Sequence, residues 1–497
     1  MLVIVSDLHL NDKTTGSPLD PGAFQIFAER LHETAVRASW RADGTYRPIE
    51  RLDLVLLGDV LDLTATTHWA SQDVRPWNDP SSPRVADAVG SIVDDILVRN
   101  RDACEVLRAI STDGAIRIPP GTQNGQPAYD AESVPVAVRT VYMVGNHDWL
   151  LHLPGTRYDT IRQKVTHQLG LANLYNAPFP HDPYESDELL TTMRKHRVFA
   201  RHGDIFDPIN FSEDRDNASL GDAIVIELIT RFGLEIKQQF GDELPQPVLN
   251  GLRELDHIRP ILLAPVWIEG LLERSNVKPA VRKEIKRTWD RLADEFLQLS
   301  LVQDQDSWSP FDIVDGLERA LKFSRRLSLG WAGNVSSWLY SLRGAESGSY
   351  FQHALAEQDF RNRRARNIVY GHTHHAEAVP LDASYADGYV LNQMYFNSGT
   401  WRRVLDQTRW TSSEHEFIPT ESISILSFFH GDERGGRPFE TWTGMLATVG
   451  DLATHRVDAG RTPHASEQPV SPSRVPVRAP HFRRSSAPTR SSAREIY

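Results

Sequence analysis

Residues 141–150 read VYMVGNHDWL: a run of strand-forming residues stops at a glycine and is followed by an amide, an imidazole and a carboxylate. A run that is apolar throughout, rather than alternating, suits a sheet covered on both faces. Polar groups at its carboxyl end fall where open α/β sheets bind ligands. Four other short runs read as buried strands: Leu2 to Val5, Leu52 to Leu57, Arg197 to Arg201 and Asn367 to Tyr370. Helical patterns such as Phe24 to Ala38 and Val85 to Ile110 lie between them. Strand and helix in alternation predict an α/β domain with a largely parallel sheet. RPWNDPSSPR (75–84) and IPPGTQNGQPAYDAESVP (118–135) are dense in turn-forming residues and read as surface loops.

Each of the five runs ends in polar residues. The first ends in SDLH, with Asp7 and His9, and the second in GDVLD, with Asp59 and Asp62. GNHD supplies Asn146 and His147, RHGD supplies His202, and GHTHH supplies His372 and His374. Alternate residues of a strand share a face, so Asp7 and His9 are expected to converge on one point. Any one of these motifs is common by chance. Five in order, each behind a predicted strand, point to one site built from carboxylate, imidazole and amide donors. Such a donor set suits first-row divalent metals. Cys104 is the only cysteine, which excludes an intramolecular disulfide and a thiolate metal cluster.

The series DLH, GDVLD, GNHD, HGD, GHTH resembles the calcineurin-like metallophosphoesterase superfamily over roughly residues 1 to 211 and 365 to 430. The resemblance implies two β-sheets packed face to face with helices outside, a four-layer α/β/β/α sandwich, with two divalent metal ions at the sheet edge. It implies that Asp7, His9 and His374 hold one ion, that Asn146, His202 and His372 hold the other, and that Asp59 bridges them. Mn²⁺ is the foremost expectation, with Fe, Zn, Co and Ni open. His147, oriented by Asp62, would be the general acid. The implied activity is hydrolysis of a phosphate ester or pyrophosphate bond by a hydroxide between two cations about 3.5–4 Å apart. GNHDWLL and HGDIFD are most similar to the UDP-2,3-diacylglucosamine pyrophosphatase branch, which usually carries Arg where this chain has His147 and has a shorter insertion. The expected substrate is a phosphorylated small molecule or a lipid-linked one. A nuclease on the same fold is the alternative, and a non-catalytic scaffold a more distant one.

Four segments follow from this reading: a first part of the core at 1–211, a helical insertion at 212–350 that caps it, a second part of the core at 351–450, and a disordered tail at 451–497. In the insertion Val281, Ile285, Trp289, Leu292 and Phe296 recur at helical spacing, and LGDAIVIELITRF (220–232) is apolar on nearly every face. Strand-like segments return at Tyr389 to Asn397 and Ser422 to Phe429. Residues 461–497 hold seven Arg, six Pro and seven Ser against two acidic residues, too little apolar surface to fold alone. The net charge of −12 weighs against a general nucleic-acid binder. MLVIVSDLHLND lacks a charged leading region, and no apolar stretch approaches the roughly 20 residues a membrane span needs. A cytoplasmic protein is the expectation. Weaker expectations attach to Asp148 as a helix cap, to His375 as an extra ligand, to Arg402 or Arg403 as a phosphate contact, and to Trp331 and Trp338 as pocket walls; for the last three, ordinary structural roles are the stronger reading.

Overall fold

The computed structural model describes residues 1–259, 261–305, 317, 321, 350–386, 389–407 and 417–446, without side chains at 382–386, 389–392, 406 and 407. Met1–Thr448 form one compact unit. The tail 461–497, Trp331 and Trp338 lie outside the described residues.

The strands are β1 (Leu2–Val5), β2 (Arg51–Leu57), β3 (Arg117–Ile118), β4 (Val134–Pro135), β5 (Ala137–Met143), β6 (Val198–Ala200) and β7 (Ile258–Arg259). Then come β8 (Asn367–Tyr370), β9 (Ala376–Ala386), β10 (Tyr389–Ser398), β11 (Arg403–Gln407), β12 (Phe417–Phe428) and β13 (Phe439–Met445). One sheet runs β5-β2-β1-β12-β11-β7, with β13 also on β12; the second runs β6-β8-β10-β9. The chain is thus α/β, but the sheets are mixed rather than largely parallel. β5, β2 and β1 are parallel, as are β6, β8 and β10, while β12, β13 and β9 join antiparallel. The reason lies in the connections. Helical crossovers separate the early strands, whereas β9–β10 and β12–β13 follow one another through short links that only antiparallel pairs can use. All five motif-bearing strands are in the parallel sets.

Side-chain alternation splits β1 between two environments. Leu2 and Ile4 join Val55, Leu57, Val141 and Met143 in a cluster that also holds Val198, Ala200, Val369 and Phe396 of the second sheet. Val3 and Val5 pack on the other side, with Leu54, Leu56 and residues of α1 (Gly22–Ala38), α2 (Pro83–Arg99) and α3 (Arg101–Thr112). On the second sheet, Phe199, Ile368, Tyr370 and Tyr395 cluster with Tyr350 and Ala354 of the helix Tyr350–Ala356. The helical pattern over 85–110 divides at Asn100, whose amide donates to the carbonyls of Ile96 and Asn11, closing α2 and tying it to the loop after β1. The loop 118–135 carries the small β3–β4 ladder at its ends.

The described part of the insertion is mostly helical and has its own apolar cluster. Helix Pro279–Leu297 buries Ile285, Trp289, Leu292 and Phe296 against Phe232, Ile236, Leu252 and Leu272. Residues 220–232 are buried except for Arg231 and form helix Leu220–Ala223, the π-helix Ile224–Thr230 and the start of Arg231–Phe240. It is not purely helical, however. β7 pairs in parallel with β11, Ile258 opposite Leu405, so the insertion adds a strand to the first sheet. Among the described residues no helix is long and apolar enough to cross a membrane.

Phe396 sits fully buried where the two sheets meet, edge-on to Phe428 and Phe439 at ring distances of 5.7 and 4.8 Å. Its replacement by Ala removes contacts of both sheets at once. Phe396→Ala should lower the unfolding free energy by about 3–5 kcal/mol, read from denaturant melts.

Candidate metal centre

Asp7 and His9 lie in the loop after β1, Asp59 and Asp62 after β2, Asn146 and His147 after β5, His202 after β6, and His372 and His374 after β8. Strand alternation does not aim them, contrary to expectation, because each lies beyond the last strand residue. Asp7, His9, Asp59, His372 and His374 instead have φ values of 53, 46, 52, 68 and 64°. Few non-glycine residues enter that left-handed region, and each such residue costs of order 1–3 kcal/mol unless its surroundings hold it. Here two left-handed residues one apart, at both 7/9 and 372/374, swing alternate side chains toward the same centre.

The donor atoms fall into two groups that share one carboxylate. Asp7, His9, Asp59 and His374 form the first, and Asp59, His202 and His372 the second. In the first, His9 Nε2 lies 3.1 Å from His374 Nε2, 3.9 Å from Asp7 Oδ1 and 3.8 Å from Asp59 Oδ2, and His374 Nε2 lies 3.3 Å from Asp7 Oδ1. In the second, His202 Nε2 is 3.1 Å from Asp59 Oδ2, and Asn146 Oδ1 is 2.9 Å from His372 Nδ1. Ligands about 2.0–2.2 Å from one ion, at octahedral or tetrahedral angles, stand about 3–3.5 Å from each other. The separations of 2.9–3.3 Å fit the edges of two coordination shells joined at Asp59, while His9 stands wider from Asp7 and Asp59 at 3.9 and 3.8 Å.

The remaining ring nitrogens are held from behind, which fixes which nitrogen faces inward. His202 Nδ1 donates to the Leu57 carbonyl at 2.9 Å. His372 Nε2 pairs with Asp207 Oδ2 at 3.0 Å, and His9 Nδ1 with Asp62 Oδ2 at 3.2 Å. His374 is the exception, its Nδ1 buried without a hydrogen bond. Asp7 Oδ1 and His202 Nε2 are also buried without one, although His202 Nε2 is within ion-pair distance of Asp59. Buried polar atoms normally find partners, and a divalent cation in each group would satisfy these two. The buried His/Asp groups can therefore hold metal ions.

The electrostatics express the same crowding. Burial, with Asp59 nearby, pushes Asp7 up to about 6, and burial beside Arg402 pushes His9 down to about 4. At Asp59 burial is outweighed by His202 and His147, and at Asp62 by His147, so both carboxyls sit well below their usual range. At His147 burial is outweighed by Asp62 and Asp59, and the imidazole is pushed up to about 10. His147 Nδ1 is 3.0 Å from Asp62 Oδ1 and 2.9 Å from Thr64 Oγ1, and its backbone N–H donates to Asp59 Oδ1 at 2.8 Å. Asp62 thus orients both His9 and His147. The glycines opening two of the motifs admit this crowding. A Cβ on Gly145 would lie 2.4 Å from Asp59 Oδ1, and one on Gly371 would lie 2.6 Å from Asp7 Oδ2.

Other expectations change. Asp148 makes no cap bond to the helical turn Trp149–His152. Its carboxylate accepts from Val60 N–H (2.8 Å), Gly145 N–H (2.6 Å) and Tyr142 O–H (2.5 Å), lacing the loops after β2 and β5 together. Neither arginine is left for phosphate alone. Arg402 is buried in an ion pair with Asp256 at 2.6 Å, its Nη1 3.4 Å from His9 Nδ1, and Arg403 pairs with Glu254 at 3.1 Å. His375 is exposed and belongs to neither donor group. Sequence reasoning passed over Asp207, Asp256 and Thr64. Asp207 lies in the quoted HGDIFD, but nothing in that spacing marks it as the partner of His372, and Asp256 sits in a stretch without any motif.

Both Asp207 and Asp256 belong to the segment after β6, which closes over the site. Asn146 Nδ2 reaches Asn210 Oδ1 at 3.4 Å, Trp149 Nε1 donates to Asp222 at 3.3 Å, and Gly16 N–H donates to the Arg253 carbonyl at 2.7 Å. The insertion therefore contacts the donor-bearing loops after β1 and β5, and the loop after β10 through Arg402.

No protein-family model matches the chain, and no curated protein matches it.

Saturation with Mn²⁺ or Zn²⁺ should raise the melting temperature, by the equivalent of about 2.7 kcal/mol at 100 times the dissociation constant. Asp59→Ala, which removes the carboxylate common to both groups, should lose the ions of both by elemental analysis. Separately, Asp256→Ala strands the buried Arg402 charge and should cost about 3–5 kcal/mol of unfolding free energy.

Proposed function

We propose that this chain is a dinuclear-metal phosphoesterase of the calcineurin-like metallophosphoesterase type, hydrolysing a phosphate ester or pyrophosphate bond. The observation that carries the proposal is the carboxylate of Asp59, shared between two donor groups, with the backbone N–H of His147 on its other oxygen. One cation would be held by Asp7, His9, His374 and Asp59, the other by Asn146, His202, His372 and Asp59. Divalent ions there would supply Lewis acidity toward phosphoryl oxygens and an activated water at neutral pH. Mn²⁺ is the first choice because the donors mix carboxylate, amide and imidazole, with Fe, Zn, Co and Ni accepted by the same set. The packing of the two sheets on one another, with helices on their far faces, supports the finer reading of the fold as a four-layer α/β/β/α sandwich.

The protein's own residues supply the proton chemistry. Asp62 holds Nδ1 of His147, so Nε2 is the nitrogen that presents its proton outward, and a small part of the ring stays accessible. A donor held in this way can protonate a leaving oxygen in the transition state. Asp62 also fixes His9, so one carboxylate sets both the acid and a ligand. The nearby insertion gives the substrate a wall, and a phosphorylated small or lipid-linked molecule is the class that fits this reading.

The nuclease alternative gains nothing from the charge distribution. A cleft of about 450 Å³ lined by Arg194, Lys195, Arg197, Arg366 and Arg437 lies where β6 and β8 begin, at the opposite ends of the strands from His202 and His372.

A panel of phosphate mono-, di- and pyrophosphate substrates, each tested with the five metals, decides the activity; no hydrolysis by metal-replete protein across the panel overturns it. Within it, His147→Ala should keep both metals and lose about 10²–10⁴-fold in rate. The loss should shrink for a substrate whose leaving group needs no proton. Equal slowing on every leaving group, with metal lost, would assign His147 to coordination instead.

A further inference from the structure

A second cluster of metal-type donors lies outside this site. His152 closes the helical turn Trp149–His152, His181 and Glu185 flank the turn Pro183–Glu185, and Asp216 opens the insertion. One ligand atom each from His152, His181 and Glu185 lies within 4.8 Å of the others. We propose that these three side chains bind a single zinc ion, with Asp216 orienting His152.

The geometry assigns the atoms. Asp216 Oδ1 takes His152 Nδ1 at 2.7 Å, which turns Nε2 toward Glu185 Oε2, 3.6 Å away. A carboxylate behind a histidine whose other nitrogen faces a metal is the usual support for a zinc ligand. Glu185 is held in turn, because its Oε2 accepts the His181 backbone N–H at 3.0 Å. Its Oε1 then lies 2.7 Å from His181 Nδ1, yet that buried nitrogen makes no hydrogen bond. The pair is close without the alignment of a donor and acceptor. His202 Nε2 and Asp59 Oδ2 show the same relation in the main site. The two imidazole rings stand edge to face, 4.9 Å apart.

Two imidazoles and a carboxylate, with no thiolate, are a zinc donor set that leaves a fourth position for water. The three segments involved come from beyond β5, from before helix Asp187–Lys195 and from the root of the insertion. An ion here would tie the insertion to the loop that carries Asn146 and His147. The competing arrangement needs no metal: His152 and His181 protonated, paired with Asp216 and Glu185.

Zinc content separates the two and does not depend on the phosphoesterase reading. The full-length protein is equilibrated with buffered Zn²⁺, desalted, and its zinc per chain measured by mass spectrometry. His181→Ala and Glu185→Gln should each hold one zinc fewer than the parent. Asp59→Ala, which disables the main site, should still hold one, and Asp59→Ala combined with His181→Ala should hold none. Co²⁺ in the Asp59→Ala protein should give a visible absorption band that His181→Ala removes. Circular dichroism identifies a variant that fails to fold; the exposed Glu185→Gln then decides against the parent. Equal zinc in the parent and in folded Glu185→Gln, or no zinc in folded Asp59→Ala, overturns the proposal.

Discussion

One carboxylate sets the constraint that the other strand ends satisfy. Asp59 is buried, and its two oxygens face different tasks: Oδ1 accepts the backbone N–H of His147, while Oδ2 lies between His9 and His202. For both contacts to exist, the loops after β1, β5 and β6 must come within hydrogen-bond reach of the loop after β2. That closeness excludes a side chain at Gly145 and forces left-handed backbone at Asp7, His9 and Asp59. Such strain persists only where the surroundings over-determine it. Here they do, through the Asp148 carboxylate, which ties Val60, Gly145 and Tyr142 to one point.

The insertion is held to this centre by charge as much as by apolar packing. Its hydrophobic cluster is nearly self-contained, with Leu405 the one buried member from the second half of the core. The links across are polar, Arg402 to Asp256 and Asp222 to Trp149, with Asp207 to His372 just before the insertion begins. A buried ion pair such as Arg402–Asp256 adds little net stability over an apolar pair, yet removing one partner is costly. It therefore serves registry better than stability. Because Arg402 also lies beside His9, the position of the insertion and the orientation of a metal-type ligand share one side chain.

The strands and the donor set were legible because each rests on a local signal. A run of apolar residues followed by Asp, Asn or His can be read from a few neighbours, and β8, Asn367–Tyr370, falls where the pattern places it. The structure gathers the seven expected ligand side chains around Asp59, with Asp62 and His147 beside them. What was not legible depends on partners far away in the chain. Asp148 reads as a cap because caps are local, while its actual donors include Val60, 88 positions earlier. For Arg402 a salt bridge is the stronger reading from sequence, but its partner, Asp256, 146 positions away, and its burial are not legible there. β7 is two residues long and exists only because β11 is beside it. Left-handed φ at Asp and His leaves no mark at all, since these residues tolerate it without a glycine to announce it.

The same density of charge makes proton and metal rivals for one set of lone pairs. Without an ion, His202 is drawn toward protonation, burial being outweighed by Asp59 and Asp7, whereas burial keeps His9 and His374 neutral. A metal binds deprotonated imidazole nitrogen, so binding at the second group must displace a proton from His202. The two groups therefore differ in how they are prepared, although they share Asp59.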